Sequence, residues 1–282
     1  MVGASGYLGS TLAALASAAG RPVVGTSTTG ADGWSRLDIT DRSAVLTLLS
    51  SVRPELIVNA AYRNDSWAIC ADGAANVALA ARQVGAKLIH ISSDALHAGR
   101  PTPYLDADPP TPITPYGAAK AAAETAVAAI DPGATIVRTS LLIGDDHSKQ
   151  IRLALDLITG RRQGALFTDE YRCPIAVQDL AAAVLELAGS GLAGTINVAG
   201  PEALSRADLG RLVAVRHGLD PAAVPARPIA EGGLGPRPAD VRLDSSLAAS
   251  MLTTRLRPAS AVVVAQDQVA SIPALPWEPH RP

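Results

Sequence analysis

The stretch that decides the fold is GASGYLG, residues 3–9, followed by the alanine-rich STLAALASAAG of residues 10–20. Gly3, Gly6 and Gly9 form G-x-x-G-x-x-G, which permits a tight turn, close backbone approach to a pyrophosphate and close packing of a helix on a sheet. The helix that follows presents free N–H groups to phosphate at its N-terminus. With 24 glycines in the chain, such spacing also arises by chance, so its meaning depends on what surrounds it. Such a loop ordinarily follows a buried strand, yet only Met1 and Val2 precede Gly3. The first strand therefore reads as truncated, and the expectation is that a short Val/Ile/Leu-rich segment upstream supplies it. LAALASAAG resembles the core of a secretory signal, but neither Lys nor Arg precedes it and the glycine loop accounts for it better.

Outward from that loop, strand-like runs alternate with helical stretches. RPVVGTS, ELIVNAA, KLIHISS, ATIVRTSLL and GTINVAG read as short buried strands, and residues 10–19, 72–85, 117–130 and 178–188 as helices. The alternation predicts βαβ units and an α/β, Rossmann-like, doubly wound parallel sheet. Beyond about residue 200 the texture becomes helices and Pro/Gly-rich loops, with Ser205 an N-cap, which predicts a smaller C-terminal substrate-binding lobe. The resulting division is a nucleotide-binding domain over 1–143, completed by about 174–199; a substrate lobe from 144–173 and 200–260; and an extended tail over 261–282.

At 282 residues, 48% hydrophobic and 18% charged, with a net charge of −2, the composition fits a globular protein with a small-molecule partner. Nothing in it favours nucleic acid or a membrane surface. Cys70 and Cys173 stand far apart in no metal-like spacing, so neither a disulfide framework nor a metal site is expected, and a cytoplasmic setting fits.

The strongest chemical signal is TPYGAAK, residues 114–120. Thr114 is suited to cap a helix and Pro115 to its first position, which places Tyr116 and Lys120 on one face a turn apart. A phenol of pKa ~10 is a weak acid at neutral pH, and a neighbouring ammonium together with the positive ring of a bound nicotinamide is expected to lower it; bringing it to pH 7 takes about 4 kcal/mol. In HISSDALHAG, an apolar strand ends in Ser92, Ser93 and Asp94, where catalytic groups collect in open α/β sheets, so a hydroxyl there is placed to bind a carbonyl oxygen. The same residues also suit an ordinary helix cap or turn. Asp38, in RLDITD, is positioned after the second strand to meet an adenine amino group. His90 reads as packed in its strand, and His97 as an unlikely general base.

Taken in order, GASGYLG, DITD, VNAA, ISSD, PYLDADPPTPITPYGAAKAAAE, IVRTSLLIG, CPIAVQDLAAAV, GTINVAGPEALSR and PRPADVRLDSS resemble the extended short-chain dehydrogenase/reductases over nearly all of residues 3–257, with the closest likeness to the dTDP-4-dehydrorhamnose reductase group. The resemblance implies an NAD(P)H-dependent reductase of a nucleotide-activated 4-keto-6-deoxysugar, with a sugar-nucleotide epimerase or dehydratase, or a non-catalytic NADP-binding subunit, as alternatives. It implies Ser93, Tyr116 and Lys120 as the catalytic set. Gly3, Ser5, Gly6, Tyr7, Leu8 and Gly9 would form the pyrophosphate loop, Asp38 and Ile39 the adenine side, and Asn59, Ala60 and Ala61 the wall along ribose and phosphates. Asp94 and Arg172 fall on the substrate side, and a homodimer is compatible. The chain departs from the group where Cys70 and Ala71 replace an Asn-Ala pair and where SSDALHAG replaces an aromatic-rich pattern. Thr26, Ser27, Thr28 and Thr29, with Arg36 nearby, favour NADP over NAD, since small hydroxyls accommodate a 2′-phosphate where a carboxylate would not.

Overall fold

The structure is a computed structural model and describes residues 1–264 except Leu234 and the side chain of Asp32. The chain runs α1 (Tyr7–Ala18), β1 (Thr26–Ser27), β2 (Ser35–Arg36), α2 (Arg42–Val52), β3 (Leu56–Asn59), α3 (Gly73–Val84), β4 (Lys87–Ile91), α4 (Pro115–Ile130) and β5 (Thr135–Arg138). It continues through β6 (Leu142–Ile143), α5 (Lys149–Ile158), β7 (Leu166–Phe167), β8 (Tyr171–Arg172), β9 (Ile175–Ala176), α6 (Val177–Gly189) and β10 (Gly194–Asn197). The last elements are β11 (Leu204–Ser205), α7 (Arg206–Arg216), β12 (Ala226–Arg227), α8 (Ser246–Met251) and α9 (Ala259–Val263).

The main sheet is parallel in the order β10-β5-β4-β3, and Val2 extends it. Val2 bridges Asn59 on one side and Thr26 on the other, both in parallel, so β1 and β2 continue the sheet beyond it. The Val2 N–H donates to the Val58 carbonyl at 2.9 Å and its carbonyl accepts from Ala60 at 3.0 Å. The first strand is thus as short as the sequence implies, and Val2 takes its place in the sheet. Two residues hold the slot between the wings of the sheet, and Val2 is only 3% exposed. Burial of such a side chain is worth about 1.5–3 kcal/mol, and the ladder bonds from Met1 to Ala4 tie both wings to it.

Strand alternation builds two cores. Ile57, Leu88 and Ile136 face α2, α3 and α4, whereas Val58, Ile89 and Val137 face α1 and α6. This is the doubly wound arrangement that the rhythm of the sequence implies. A third core forms where α5, α7 and α9 pack around Leu166. Residues 21–25, read as strand, have no regular structure, and the β-region there shrinks to Thr26–Ser27. Residues 259–263 form α9 with Ala259 and Val263 buried, which corrects the start of the extended tail; residues 265–282 lie outside the described residues. Among the described residues no helix is long and apolar enough to cross a membrane.

Candidate active site

The glycine loop is forced by close contacts. Gly3 has φ +81°, and a Cβ on it would lie 2.8 Å from the Ala61 backbone nitrogen; one on Gly9 would lie 2.0 Å from the Gly3 carbonyl oxygen. Gly6 is the N-cap of α1 and offers no side chain to the first turn, whose N–H groups are thus left for an anion. Such a bare, glycine-lined helix start fits the diphosphate of a dinucleotide. Tyr7 ties the loop to a distant part of the chain, because its hydroxyl accepts from the Asp145 backbone N–H at 3.1 Å. Burial pushes the Tyr7 phenol up to about 12.

The loop opens on a cleft of about 1140 Å³, above the range of about 300–1,000 Å³ usual for one small ligand. Ser5, Gly6, Tyr7, Leu8, Gly9, Asp38, Ile39, Ala60 and Ala61 line one part, and Ser93, Asp94, Tyr116, Lys120 and Arg172 another. The structure thus brings the expected residues together, with one exception. Asn59 is 1% exposed and stands behind the wall, where its Oδ1 accepts from the Ala61 backbone N–H at 3.2 Å. The Asp38 carboxylate accepts from the N–H and hydroxyl of Thr40 at 2.9 and 2.7 Å, bonds that hold its carboxyl below the usual value. Ser27 and Thr28 line the cleft, while Arg36 is exposed on the outermost strand.

Helix α4 begins as its sequence dictates: Thr114 Oγ1 accepts from the Gly117 N–H at 3.0 Å, and Pro115 fills the first turn. Ser93 follows β4 and caps a short 3₁₀ turn, accepting from the Ala95 N–H at 3.2 Å. The two starts meet, since a Cβ on Gly117 would lie 2.1 Å from the Ala95 carbonyl. Ser93 and Tyr116 thereby line the same cleft, and Ser93 acts on the Tyr116 phenol by favouring its ionisation. Gly117→Ala is therefore expected to cut turnover at least tenfold and to lower the thermal midpoint, although Gly-to-Ala inside a helix ordinarily stabilises by about 1 kcal/mol. A midpoint raised with full turnover would refute the close approach.

Lys120 is 2% exposed, and its Nζ donates to the Ile91 carbonyl at 2.6 Å and lies 3.3 Å from His90 Nε2. Burial lowers its pKa to about 8, against the pull of Cys70 and Glu124. Burial raises the Tyr116 phenol above its ordinary value, and the neighbouring Ser93 only partly offsets this, so the charge of Lys120 alone does not bring about the expected acidification. Cys70 and Ala71 lie in a π-helical turn (Ala68–Asp72), packed with Ala119 against Tyr116.

On the substrate side, Asp94 accepts from Ser140 Oγ at 2.6 Å, and burial raises its carboxyl. Arg172 lies in the cleft wall, but its N–H groups are largely committed to the carbonyls of Tyr171, Pro238 and Ala239 at 2.6, 2.8 and 3.3 Å. Its charge faces Asp94 at 3.7 Å and Glu170 at 3.6 Å. It clamps the 238–239 loop to the cleft floor. Glu170 is buried rather than solvated, and Arg237 donates to it at 2.8 Å. His97 stacks on Tyr104 at 3.8 Å between centroids, and burial lowers its pKa to about 4, so it is a packing residue. Tyr7, Glu170 and Arg237 escaped the sequence reading as paired site residues because their partners lie tens of residues away.

With this geometry in place, comparison with known proteins is informative. A family model described as "RmlD substrate binding domain" matches residues 1–266. The chain is 32% identical over 256 residues to a dTDP-4-dehydrorhamnose reductase of Mycobacterium tuberculosis, covering 85% of this chain and 81% of that one. It is also 32% identical over 252 residues to a dTDP-4-keto-6-deoxy-D-glucose reductase of Streptomyces niveus, covering 84% and 85%. The crystal structure of a Bacillus anthracis dTDP-4-dehydrorhamnose reductase in complex with NADP superimposes with a TM-score of 0.82 at 26% identity, covering 93% of this chain and 95% of that one. The chain belongs to the RmlD substrate-binding-domain family.

Proposed function

We propose that the protein is an NADPH-dependent reductase that acts on the ketone of a dTDP-linked 4-keto-6-deoxysugar, with residues 144–173 and 200–260 forming the substrate side. The observation that carries this reading is that Ser93, Tyr116 and, one turn on, Lys120 line the same cleft as the bare N-terminus of α1. The reductase names of the relatives support the substrate class, and the NADP-bound relative supports the cofactor.

A bound nicotinamide supplies the hydride. Ser93 Oγ is placed to hold the ketone oxygen, and Tyr116 Oη to protonate it as it becomes an alkoxide. Burial keeps Tyr116 protonated, so the proton is present when the oxygen develops charge. An alkoxide is a stronger base than a phenolate, and the transfer runs downhill even from a raised phenol. Lys120 Nζ, held at the Ile91 carbonyl, stands a turn away to orient the ribose.

The test is to follow NADPH oxidation with dTDP-4-dehydrorhamnose as substrate. One NADPH consumed per sugar reduced supports the reading; substrate conversion without net oxidation would replace it with an epimerase or dehydratase, and no conversion would remove the enzymatic reading. Fluorescence titration is expected to give NADPH a dissociation constant no weaker than that of NADH, because Ser27 and Thr28 line the cleft and Asp38 is committed to Thr40. A strong preference for NADH would contradict this.

A further inference from the structure

Lys120 is met from beneath by a residue outside the cleft wall. His90, on β4, is 1% exposed, with Nε2 3.3 Å from Lys120 Nζ and Nδ1 3.4 Å from Asn59 Nδ2. Asn59 and His90 are register partners across β3 and β4, which brings their side chains together.

Hydrogen-bond direction along this chain is constrained. The Ala61 backbone N–H donates to Asn59 Oδ1, and a backbone amide can only donate, so the carboxamide turns its NH₂ to the imidazole. Nδ1 then accepts, the ring proton sits on Nε2, and Lys120 receives it as a neutral amine while donating to the Ile91 carbonyl. Protonation of Lys120 reverses each link. One proton is taken up from solvent, the amine becomes an ammonium that donates to Nε2, and the imidazole stays neutral with its proton on Nδ1. Asn59 must then present its oxygen to the ring, which releases the Ala61 N–H. Ala61 lines the cleft beside Gly3.

We propose that His90 is a positioning residue for Lys120: it anchors the amine from below and, through Asn59, couples the amine's protonation to the freedom of the Ala61 N–H on the cofactor side of the cleft. This rests on the reading above that this wall takes the cofactor. The charges around the chain agree with it. Cys70 from the π turn and Glu124 from α4 favour the ammonium against burial, and Asp94 and Tyr116 stand on the cleft side. Burial and Lys120 hold His90 neutral, well below its ordinary pKa.

The test has two arms, neither of which contains a sugar, so failure of the reductase reading leaves it intact. In the free protein labelled with ¹⁵N-histidine, long-range ¹H–¹⁵N spectra from pH 6 to 10 are expected to show a neutral His90 that changes from Nδ1–H to Nε2–H with a midpoint near the Lys120 value of about 8. A single tautomer throughout, or an imidazolium above pH 6, would overturn the proposal. In the second arm, NADPH affinity is titrated over the same range. The wild type should bind more tightly below the midpoint, and His90→Leu, which removes the acceptor for the ammonium, should move that midpoint to lower pH by about one unit or more. His90→Gln, which restores an amide that can donate or accept, should move it back. An unchanged pH profile in His90→Leu, with or without a lowered thermal midpoint, would reduce His90 to packing. If the leucine variant does not fold, the spectra of the wild type decide alone.

Discussion

Tyr116→Phe is expected to lower turnover about 10²-fold or more, the usual contribution of a general acid, while NADPH affinity stays within about twofold. The substitution removes one oxygen and almost no volume. The ring keeps its packing against Cys70, Ala71 and Ala119 and its tilted contact with Tyr62 at 6.4 Å. What is lost is the hydroxyl that lines the cleft beside Ser93, and with it the proton donor. Steady-state kinetics and a fluorescence titration check the two halves separately, and a variant that retains more than about a tenth of wild-type turnover contradicts the acid role. The pH profile adds a second check. Burial raises Tyr116 beyond the range in which it ionises, whereas Lys120 is lowered to about 8. The alkaline limb of kcat/KM in the wild type should therefore fall near pH 8 and track Lys120, not the phenol.

The parts of this site legible in the sequence are those made by local rules. Thr114, Pro115 and the four-residue spacing of Tyr116 and Lys120 specify a capped helix and one face within seven residues, and the structure matches them. Ser205 caps α7 by accepting from the Asp208 N–H at 3.0 Å, another local interaction. The glycine loop was readable because steric exclusion acts over neighbouring turns. What escaped depends on register and on distant partners. That Asn59 meets His90 follows from how β3 pairs with β4, which no spacing in the chain reveals. Arg172 reads as a free cation until the 238–239 loop, more than sixty residues on, is seen to occupy it. The pairing of Val2 with both Asn59 and Thr26 is equally a long-range fact. Electrostatics failed in the same way: the sign of the Tyr116 shift depends on burial set by Cys70, Tyr62 and the turn at Ser93, none of them adjacent in sequence.

The same dependence on distant partners makes Arg138 the position where a single substitution should cost the most stability. Its guanidinium pairs with Glu124 at 2.8 Å, with side chains only 4% and 6% exposed, and donates to the carbonyls of Asp106 and Asp108 at 3.3 and 2.7 Å. Glu124 also accepts from Ser92 Oγ at 2.6 Å. One network therefore joins β5, the helix that carries Tyr116 and Lys120, and the strand end that carries Ser93. Arg138→Met leaves the Glu124 carboxylate buried without its cation, a change that typically costs about 3–5 kcal/mol out of a total stability of roughly 5–15 kcal/mol. At about 2–4 °C per kcal/mol for a chain of this size, the midpoint should fall by roughly 10 °C. Removing both charges tells a different story, because two apolar side chains of similar volume relieve the desolvation of both ions. The double variant Glu124→Leu/Arg138→Met should regain at least about half of the loss, a coupling readable from a double-mutant cycle. Denaturant titration of the four proteins checks this. A single Arg138→Met variant within about 1 kcal/mol of the wild type would show that the pair is dispensable to the fold, and a double variant as unstable as the single one would show that the carbonyls of Asp106 and Asp108, rather than the carboxylate, are what Arg138 holds in place.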